Sequence, residues 1–463
     1  MSASEKMGTK NIKEMSPVRL IVSSFLAIII LGTSLLCLPI SSRSMENIHF
    51  VDAMFTATSA TCVTGLTQFD TYSRWSAFGQ VVILLLIQFG GLGIITFTTG
   101  FTLFLRKKLG LRDMQIAKEY TSGSVLDLPR LLKTIIIWSL GCELVGAVIF
   151  AIRFIPQFGI TRGLWVSLFT AISAYCNAGF DVMGCIDPGT SFINYAKDPL
   201  VCLTTSFLVI LGGLGFIVVR DVYSCIASKI SRAKNHPRLN LHSFIVVTMS
   251  ITLLLIGTVL FMFFEYNNTL AQYSFWEKLN ISFFQSSVAR TAGFFSVPIG
   301  METGLTKLLT IVFMFIGASS ASTGGGVKTT TFVVILATLK SVVKGYEDTV
   351  ILRHKVEKQT VYKAFSLTIL AFFLVSIVTM LIAFFEGHQN FAFLDITFET
   401  VSAFATVGLS TGLTNLLSSV SKILIMLMMF IGRVGPISFI FSVSLVKDKS
   451  FDKVMPSSKI IVG

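Results

Sequence analysis

Eight long apolar runs, separated by short polar segments, limit what this chain can fold into. They lie at about 20–40, 77–105, 131–154, 200–219, 241–264, 305–339, 361–385 and 423–446. Each is close to or above the roughly 20 residues that an α-helix needs to cross the hydrocarbon core of a bilayer. Charged residues make up only 13% of the chain, about half the share found in soluble domains. The sequence therefore predicts an all-α polytopic membrane protein whose main solvent is lipid.

The start of the chain and its cysteines allow other interpretations that the sequence disfavours. The run at 20–40 follows a basic flank, as in a secretory signal peptide, but no small-residue cleavage pattern follows it and many more apolar runs do. We therefore interpret it as the first membrane helix. The seven cysteines form neither a CxxC motif nor a His/Cys cluster with zinc spacing, so we expect buried thiols packed as small apolar groups.

The basic residues indicate how the chain is oriented. The net charge of +13 could suggest a nucleic-acid partner, but the positive charge is not spread over one surface. Of the 37 Lys and Arg, 26 fall in five segments, namely the N-terminus, 106–133, 220–238, 340–363 and the tail at 447–463. This is the positive-inside asymmetry of a multispanning protein. We expect these segments and both termini to be cytoplasmic, with membrane lipid and no nucleic acid as a partner.

A repeat lies beneath the hydropathy pattern. Between the members of each pair of apolar runs is a segment too short to span, at 52–60, 164–175, 275–288 and 393–404, which is typical of a re-entrant half-helix. Each half-helix leads into a string of small residues with one glycine: TCVTGL, YCNAGF, ARTAGF and FATVGL. The glycines Gly65, Gly179, Gly293 and Gly408 are 114, 114 and 115 residues apart. The unit is helix, half-helix, glycine string, helix, used four times. The predicted organisation is an N-terminus at 1–19, repeats at 20–108, 131–229, 241–340 and 361–446, and a tail at 447–463.

Four such strings around one axis would form a selectivity filter. One string alone would be an ordinary turn, but irregular backbone at membrane depth is tolerated only where protein or a water-filled cavity surrounds it. Free carbonyls can replace the hydration shell of a cation, and each half-helix adds about −0.5 charge from its C-terminus. No carboxylate lies in the strings, which favours a monovalent ion over calcium. The predicted filter residues are Cys62, Val63, Thr64, Gly65, Cys176, Asn177, Ala178, Gly179, Arg290, Thr291, Ala292, Gly293, Ala405, Thr406, Val407 and Gly408.

At these residues the chain resembles the Trk/Ktr/HKT superfamily of potassium transporters, most closely the KtrB-type subunits of bacterial Ktr systems. The resemblance rests on LLCLPIS, TATSATCVTGL, NAGF, RTAGF and SAFATVGLSTGL, and it covers nearly the whole chain. It implies a bacterial cell-membrane protein with a pseudo-fourfold pore in one chain and K+ in the filter. It also implies a homodimer and a cytosolic KtrA-like RCK ring that binds ATP or ADP. Where the family commonly has Thr or Asn, this chain has Cys62 and Cys176, which leaves the preference between K+ and Na+ open, and sodium dependence also stays open.

The helix after the third glycine string contains a run of small residues. The ten residues from 317 to 326 are all Gly, Ala, Ser or Thr, and each glycine costs a helix about 1 kcal/mol relative to alanine. We expect a break there, forming a loop that gates the pore just inside the filter, as the resemblance also implies. A close helix-packing face is the rival interpretation, whereas a P-loop is disfavoured because Val327 separates the last glycine from Lys328. The predicted gating residues are Gly317, Ala318, Ser319, Ser320, Ala321, Ser322, Thr323, Gly324, Gly325, Gly326 and Arg433.

Three charged residues in apolar surroundings are further candidates. Arg433 stands in IGRVG where the first two repeats have FGGLG and LGGLG, so it lies at the depth of Gly91 and Gly213. Its five donors suit the carbonyls and hydroxyls of the loop, although a charge that reaches the cytoplasmic edge is the alternative. Arg290 either braces the third string or pairs with an outer acid. Glu143 is either a site for a coupling ion or a buried carboxylate that a neighbouring helix satisfies.

The pattern favours potassium uptake through a gated pore over two other functions. A pore subunit of an ATP-driven potassium pump is the main alternative, and it would need a catalytic ATPase partner. An intramembrane enzyme is disfavoured because the spans contain no metal-ligand pair and no His except His242 at the start of one run.

Overall fold

The computed structural model describes residues 17–93, 128–230, 239–320 and 322–443. Most of the predicted N-terminus, the end of repeat 1 after Gly93, Ala321 of the predicted gating segment and the C-terminal tail lie outside these ranges. Within them, the chain repeats one arrangement four times: an outer helix, a short pore helix, a glycine string and an inner helix.

The first member of each repeat, the outer helix, is long enough to cross a bilayer. These helices are apolar on nearly every side, and side chains such as Ile30, Val259 and Phe384 are exposed on their outer surfaces, as expected where lipid is the neighbour. Their lengths of 20, 31, 25 and 28 residues meet the requirement for a span. The outer helices are Pro17–Leu36, Leu128–Phe158, Leu241–Glu265 and Lys358–Phe385.

The four short segments are helices too short to span, as predicted. Each contains 13 to 16 residues, and the C-terminal part of each is buried. In the third, Ser274 and Glu277 form a capping box, which satisfies two free backbone N–H groups at once. The pore helices are Phe50–Cys62, Ile160–Tyr175, Phe275–Val288 and Phe393–Ala405.

The inner helices are shorter than the apolar runs predicted, at 12 to 16 residues in the described part of the chain. Three end at a glycine with positive φ, namely Gly93, Gly215 and Gly435 at 78°, 88° and 92°, a conformation that glycine adopts without steric cost. After Gly215 the chain turns by 103° into a second helix. The break predicted in repeat 3 is present, and the helices of repeats 2 and 4 also end within their apolar runs, which hydropathy did not predict. The inner helices are Ala77–Leu92, Pro199–Leu214, Gly304–Phe315 and Ser419–Val434, and they are followed by Phe216–Ile230 in repeat 2, Thr329–Val343 in repeat 3 and Pro436–Val443 in repeat 4.

Hydropathy and length together distinguish the outer helices from the shorter inner helices. Among the described residues, four helices are long and apolar enough to cross a membrane, and the bent pair Pro199–Leu214 and Phe216–Ile226 would make a fifth if it counts as one span. The connections hold a short helix at Thr71–Arg74, 3₁₀ turns and a small antiparallel hairpin of Val350–Ile351 with His354–Lys355. The 3₁₀ turns are Pro39–Ser41, Met183–Cys185, Ile193–Tyr195, Ile299–Met301 and Leu413–Leu416.

Ion pairs join neighbouring repeats at equivalent positions. Lys422 at the start of the fourth inner helix lies 3.1 Å from Asp52 of the first pore helix. Lys307 at the start of the third inner helix lies 2.9 Å from Asp395 of the fourth pore helix. Each lysine is 14 residues after its filter glycine and each aspartate 13 residues before one. The first of these pairs connects repeat 4 to repeat 1 and so closes the ring of repeats.

Candidate functional site: a ring of four glycine strings

The four glycine strings share one backbone conformation. The glycines Gly65, Gly179, Gly293 and Gly408 have φ of 90°, 70°, 72° and 91°. The residue two places before each glycine also has a positive φ. Three of these four residues are β-branched, so their backbone conformation is sterically strained. These residues are Val63, Asn177, Thr291 and Thr406, with φ of 57°, 59°, 76° and 51°.

The strings contact one another in cyclic order. A β-carbon built on Gly65 would lie 2.5 Å from the carbonyl oxygen of Ala178. The same construction on Gly179 and Gly293 would bring a β-carbon to 2.7 Å from the oxygens of Ala292 and Val407. On Gly408 it would overlap the carbonyl oxygen of Thr64, back in repeat 1. The strings therefore form a closed ring, in which each glycine leaves room for a carbonyl oxygen of the next repeat.

The C-terminus of each pore helix holds its string from behind. In repeats 1, 2 and 4, the residue before the filter glycine donates its backbone N–H to the carbonyl five residues earlier, at 2.8 to 2.9 Å. This wraps the chain end around the helix C-terminus and satisfies carbonyls that the helix leaves free. The remaining helix dipole points at the ring and favours a cation there.

A serine six residues before each filter glycine was not among the predicted site residues. Gly65 and Gly408 donate their N–H groups to the hydroxyls of Ser59 and Ser402, both at 3.1 Å. Ser173 donates to the carbonyl of Phe180 at 2.5 Å. Ser287 donates to Phe284 O at 2.7 Å and to Ser206 Oγ at 2.9 Å. The constant offset of these serines from the glycines is the sequence signal that would have found them.

All sixteen predicted filter residues lie on this ring or at the pore-helix ends that support it. Cys62, Cys176 and Ala405 are fully buried, and both cysteines are free thiols. Arg290 is buried and donates from Nη2 to Ser250 Oγ at 3.1 Å. Within the described ranges no ion pair involves Arg290, so the contact favours bracing by an outer helix over pairing with an outer acid.

A cavity of about 170 Å³ lies against one face of the ring and is lined by all four filter glycines. Asp70 and Asp181 also line it. Asp70 accepts a hydrogen bond from Ser73 N at 2.7 Å, and Asp181 accepts one from Met183 N at 3.0 Å. Burial raises the pKa of Asp181 to about 6. This cavity, the vestibule, therefore carries two carboxyl groups that would attract cations.

The segment predicted to be a gate lies against the opposite face of the ring. The inner helix of repeat 3 ends at Phe315 and the chain becomes helical again at Thr329. Gly325 donates its N–H to Thr406 Oγ1 at 2.9 Å, and Gly324 lies so close to Thr291 Oγ1 that a side chain would overlap it. Both threonines belong to the glycine strings. The small residues are therefore needed because the loop fits beneath the filter.

Backbone atoms of repeat 2 hold the same loop from the side. Ser319 donates its N–H to the carbonyl of Gly213 at 3.2 Å, and Thr323 donates to that of Gly212 at 3.3 Å. Lys328 donates from Nζ to the carbonyl of Gly324 at 2.6 Å. The loop is thus a broken helix with specific hydrogen bonds to neighbouring repeats, which a simple helix-packing face does not require.

Arg433 connects three repeats beneath the ring. Its guanidinium donates to the carbonyl oxygens of Thr323 in the loop and Gly90 in repeat 1, and also to Gly91 O at 3.4 Å. The side chain therefore lies at the level that the alignment of IGRVG with FGGLG predicts. These contacts favour the interpretation in which Arg433 binds the loop over the one in which it reaches the cytoplasmic edge.

Glu143 lies between repeats 1 and 2. Its carboxylate is 3% exposed and accepts hydrogen bonds from Gln88 Nε2 at 3.0 and 3.2 Å. The thiol of Cys176 lies 4.0 Å from Oε1. This environment matches a buried carboxylate satisfied by a neighbouring helix. In the described part of the chain, no group of three or more His, Cys, Asp or Glu could hold a metal ion.

Comparisons with known proteins agree with this architecture. The family model described as cation transport protein (TrkH) matches residues 3–453. The chain is 38% identical over 454 residues to the Ktr system potassium uptake protein B of Bacillus subtilis, covering 97% of both chains. It is 37% identical over 455 residues to the potassium/sodium uptake protein NtpJ of Enterococcus hirae, covering 97% of this chain and 98% of that one.

A solved structure supports the fold. The potassium transporter TrkH from Vibrio parahaemolyticus matches with a TM-score of 0.68 at 17% sequence identity, over 96% of this chain and 87% of that one. These relatives are transport proteins, not enzymes. Because the family model matches nearly the whole chain and a relative is 38% identical over 97% of it, this chain belongs to the TrkH family of cation transport proteins.

Proposed function

We propose that this protein takes up potassium through a gated pore that runs through the ring of four glycine strings. The observation that carries the proposal is the cyclic contact of Gly65, Gly179, Gly293 and Gly408, each with a carbonyl of the next repeat. A ring of backbone oxygens behind four helix C-termini suits a dehydrated monovalent cation. Two relatives are named as potassium and potassium/sodium uptake proteins, which supports the same class of ion.

The proposed filter consists of the four strings named above, with K+ as the transported ion, and whether Na+ is carried or coupled is a separate question. Side chains at the start of each string point into the protein, so Cys62 and Cys176 contribute backbone rather than sulfur to the ion path. The acidic vestibule with Asp70 and Asp181 would face outside and concentrate cations before they enter. This orientation places the basic segments and both termini in the cytoplasm of a bacterial cell, consistent with the positive-inside asymmetry.

The proposed gate is the loop at 317–326 with Arg433. The loop lies beneath the filter, and Arg433 donates to Thr323 in it while also donating to Gly90 in repeat 1. Each hydrogen bond to a charged group contributes about 1.5–3 kcal/mol. The arginine therefore stabilises a closed position, and movement of the loop would open the pore.

The proposed assembly is a homodimer regulated from the cytosol. Proteins named as component B of a Ktr system are among the relatives, which supports a multi-component system. The partner in this proposal is a KtrA-like RCK ring that binds ATP or ADP and acts on the cytoplasmic ends of the inner helices.

Purified protein in vesicles tests the proposal. Vesicles loaded with K+ and diluted into K+-free buffer, with 86Rb+ outside, should accumulate the tracer without ATP. Competition by K+ should exceed competition by Na+. Uptake that is driven only by ATP hydrolysis in a second protein, and not by nucleotide binding to a cytosolic ring, would instead assign the chain to the pore subunit of a pump. Absence of any cation flux from correctly folded protein, both alone and with its cytosolic partner, would contradict the proposal.

A further inference from the structure

A large apolar groove lies on the outside of repeat 2, away from the pore. Its volume is about 920 Å³. One wall is the outer helix Leu128–Phe158, the second is the inner helix Pro199–Leu214, and the third is the helix after the 103° turn. Because that third helix turns away at Gly215, the outer helix loses the neighbour that would have covered it. Exposed side chains such as Ile137, Val145 and Phe207 line the groove, so it opens toward lipid.

The groove is long enough to hold an acyl chain over the full depth of one lipid leaflet. It follows the outer helix from Thr134 to Ile149, which is about 22 Å at 1.5 Å per residue. Half the hydrocarbon thickness of a bilayer is about 15 Å. An acyl chain that enters from one membrane surface therefore fits along the groove with its end near the bilayer centre.

One end of the groove is polar and positively charged. Arg220 lines it there, together with Tyr223 and Trp138, whose rings meet edge to face at 6.3 Å. Tyr and Trp are enriched where a membrane meets water. The indole N–H of Trp138 has no acceptor within the described chain, so a donor is available to an oxygen ligand at this end.

No acid among the described residues forms an ion pair with Arg220. Its side chain is exposed, and none of the ion pairs between described residues includes it. The adjacent Asp221 instead accepts hydrogen bonds from Ser243 Oγ at 2.6 Å and Asn240 Nδ2 at 2.8 Å, which belong to repeat 3. Basic groups at the cytoplasmic end of a groove between membrane helices are suited to anionic lipid headgroups.

The groove shares a wall with the proposed gate. Leu208 and Leu211 line the groove, and the next two residues, Gly212 and Gly213, accept hydrogen bonds from Thr323 and Ser319 of the gating loop. Phe216, at the start of the next helix, lines the groove as well. Any occupant that fixes this turn also fixes the carbonyls that hold the loop.

We propose that the groove binds one anionic phospholipid, with an acyl chain along the outer helix and the phosphate at Arg220, and that this lipid stabilises the turn to which the gating loop is attached. Charge complementarity selects the occupant. A second copy of this chain would have to place an acidic group at Arg220, whereas an anionic phospholipid combines the apolar length with the negative end.

Gly141 allows a direct test of occupancy. A β-carbon there would meet no atom within 4 Å, although Gly141 lines the groove, so Gly141→Trp should fill the space without disturbing the helix. Leu140→Trp is the matched control, because Leu140 is exposed on the same helix but does not line the groove. The protein is purified in detergent with added dioleoylphosphatidylglycerol or dioleoylphosphatidylcholine, and retained lipid is counted by native mass spectrometry.

We expect one phosphatidylglycerol per wild-type chain, a loss of fivefold or more in Gly141→Trp and no loss in Leu140→Trp. Arg220→Gln should abolish the preference for phosphatidylglycerol over phosphatidylcholine, whereas Lys229→Gln, on the same helix but outside the groove, should keep it. Equal retention in Gly141→Trp and wild type would overturn the proposal. So would dissociation of a dimer by Gly141→Trp without loss of lipid, because the occupant would then be a second copy.

The link to the gate rests on the proposed function and is tested separately. In vesicles of phosphatidylcholine alone and with added phosphatidylglycerol, wild-type 86Rb+ uptake should differ at least twofold, and Gly141→Trp should show the same rate in both. Lipid retention as predicted with no flux in any variant would contradict the proposed transport function alone. A normal flux that depends neither on lipid composition nor on Gly141→Trp would refute the link between groove and gate.

Discussion

At Gly408 a β-carbon would overlap the carbonyl oxygen of Thr64 in the neighbouring repeat, and the φ of 91° is one that other residues rarely adopt. Both the lack of space for a β-carbon and the positive φ therefore require glycine at this position. The strings and their glycines were predictable because they recur at a constant interval. The serines behind them were not predicted, because one serine within a buried helix carries no distinct signal until its offset from the glycine is compared across repeats.

Substitution of a filter glycine should weaken ion binding without preventing insertion. Gly293→Ser and Gly408→Ser should each raise the concentration of K+ needed for half-maximal uptake by roughly tenfold, which corresponds to about 1.4 kcal/mol, because the carbonyl of the next repeat must move. Gly345→Ser is the control, since Gly345 also has positive φ but a β-carbon there would meet no atom within 4 Å. Uptake kinetics in both filter variants that equal those of Gly345→Ser would remove the filter assignment.

The vestibule acid Asp181 should make uptake sensitive to pH. Burial raises its pKa to about 6, so the carboxylate is charged above that pH and neutral below it. Affinity for K+ should therefore fall as the pH drops through about 6. Asp181→Asn should lower affinity at pH 7.5 and flatten the profile between pH 5 and 7.5, while Asp187→Asn, which lies outside the vestibule lining, should leave both unchanged. A profile in Asp181→Asn identical to wild type would assign the pH dependence to another group.

At the level of elements, the half-helices were predictable and the ends of the inner helices were not. A short apolar segment bounded by polar residues has few alternatives in a membrane, and the observed pore helices extend the predicted ones by a few residues only. Hydropathy, however, carries no information about backbone conformation. FGGLG, LGGLG and IGRVG all lie within apolar runs, yet the last glycine in each has positive φ and ends the helix. The hydrogen-bond acceptors of Arg433 could not be predicted from the sequence either, since Gly90 lies 343 residues away in it.

Removal of the Arg433 side chain should release the gating loop. Two hydrogen bonds to a charged group, at about 1.5–3 kcal/mol each, bias closure by roughly a hundredfold to ten-thousandfold. Arg433→Ala, or deletion of 319–323, should raise maximal 86Rb+ flux several-fold and reduce its dependence on the cytosolic partner. Arg433→Lys should fall between, because a lysine retains the charge but not two fixed donors. Parental flux and full partner dependence in both main variants would place the gate elsewhere.

At the scale of the whole molecule, one chain must close a ring, and the ends of the ring are its first and last repeats. Lys422 and Asp52 join them through an ion pair with side chains 15% and 16% exposed. Partly buried pairs are costly to break because one charge remains without a partner. The sequence predicted fourfold repetition from spacing alone, but which repeats touch follows only from the structure, because spacing does not determine the cyclic order.

The ring-closing pair should matter more than an equivalent pair within one repeat. Lys422→Met should lower the free energy of unfolding by about 1–3 kcal/mol, and the double variant with Asp52→Asn should recover part of that loss. Arg153→Met removes the ion pair between Arg153 and Asp198, in which the arginine side chain is 48% exposed. This change should lower the free energy of unfolding by about 0–1 kcal/mol. Thermal unfolding in detergent measures all four proteins. Equal melting temperatures for Lys422→Met and wild type would show that other contacts close the ring.

The central claim is that four strings of one chain surround a single cation site. Anomalous scattering from crystals grown with Rb+ or Tl+ in place of K+ tests it most directly, with Gly408→Ser as the matched variant. The account predicts ion density on the ring axis, surrounded by the carbonyl oxygens of Thr64, Ala178, Ala292 and Val407, and weaker or absent density in Gly408→Ser. Strong density at Glu143 with none on the ring axis of the wild-type protein would contradict it.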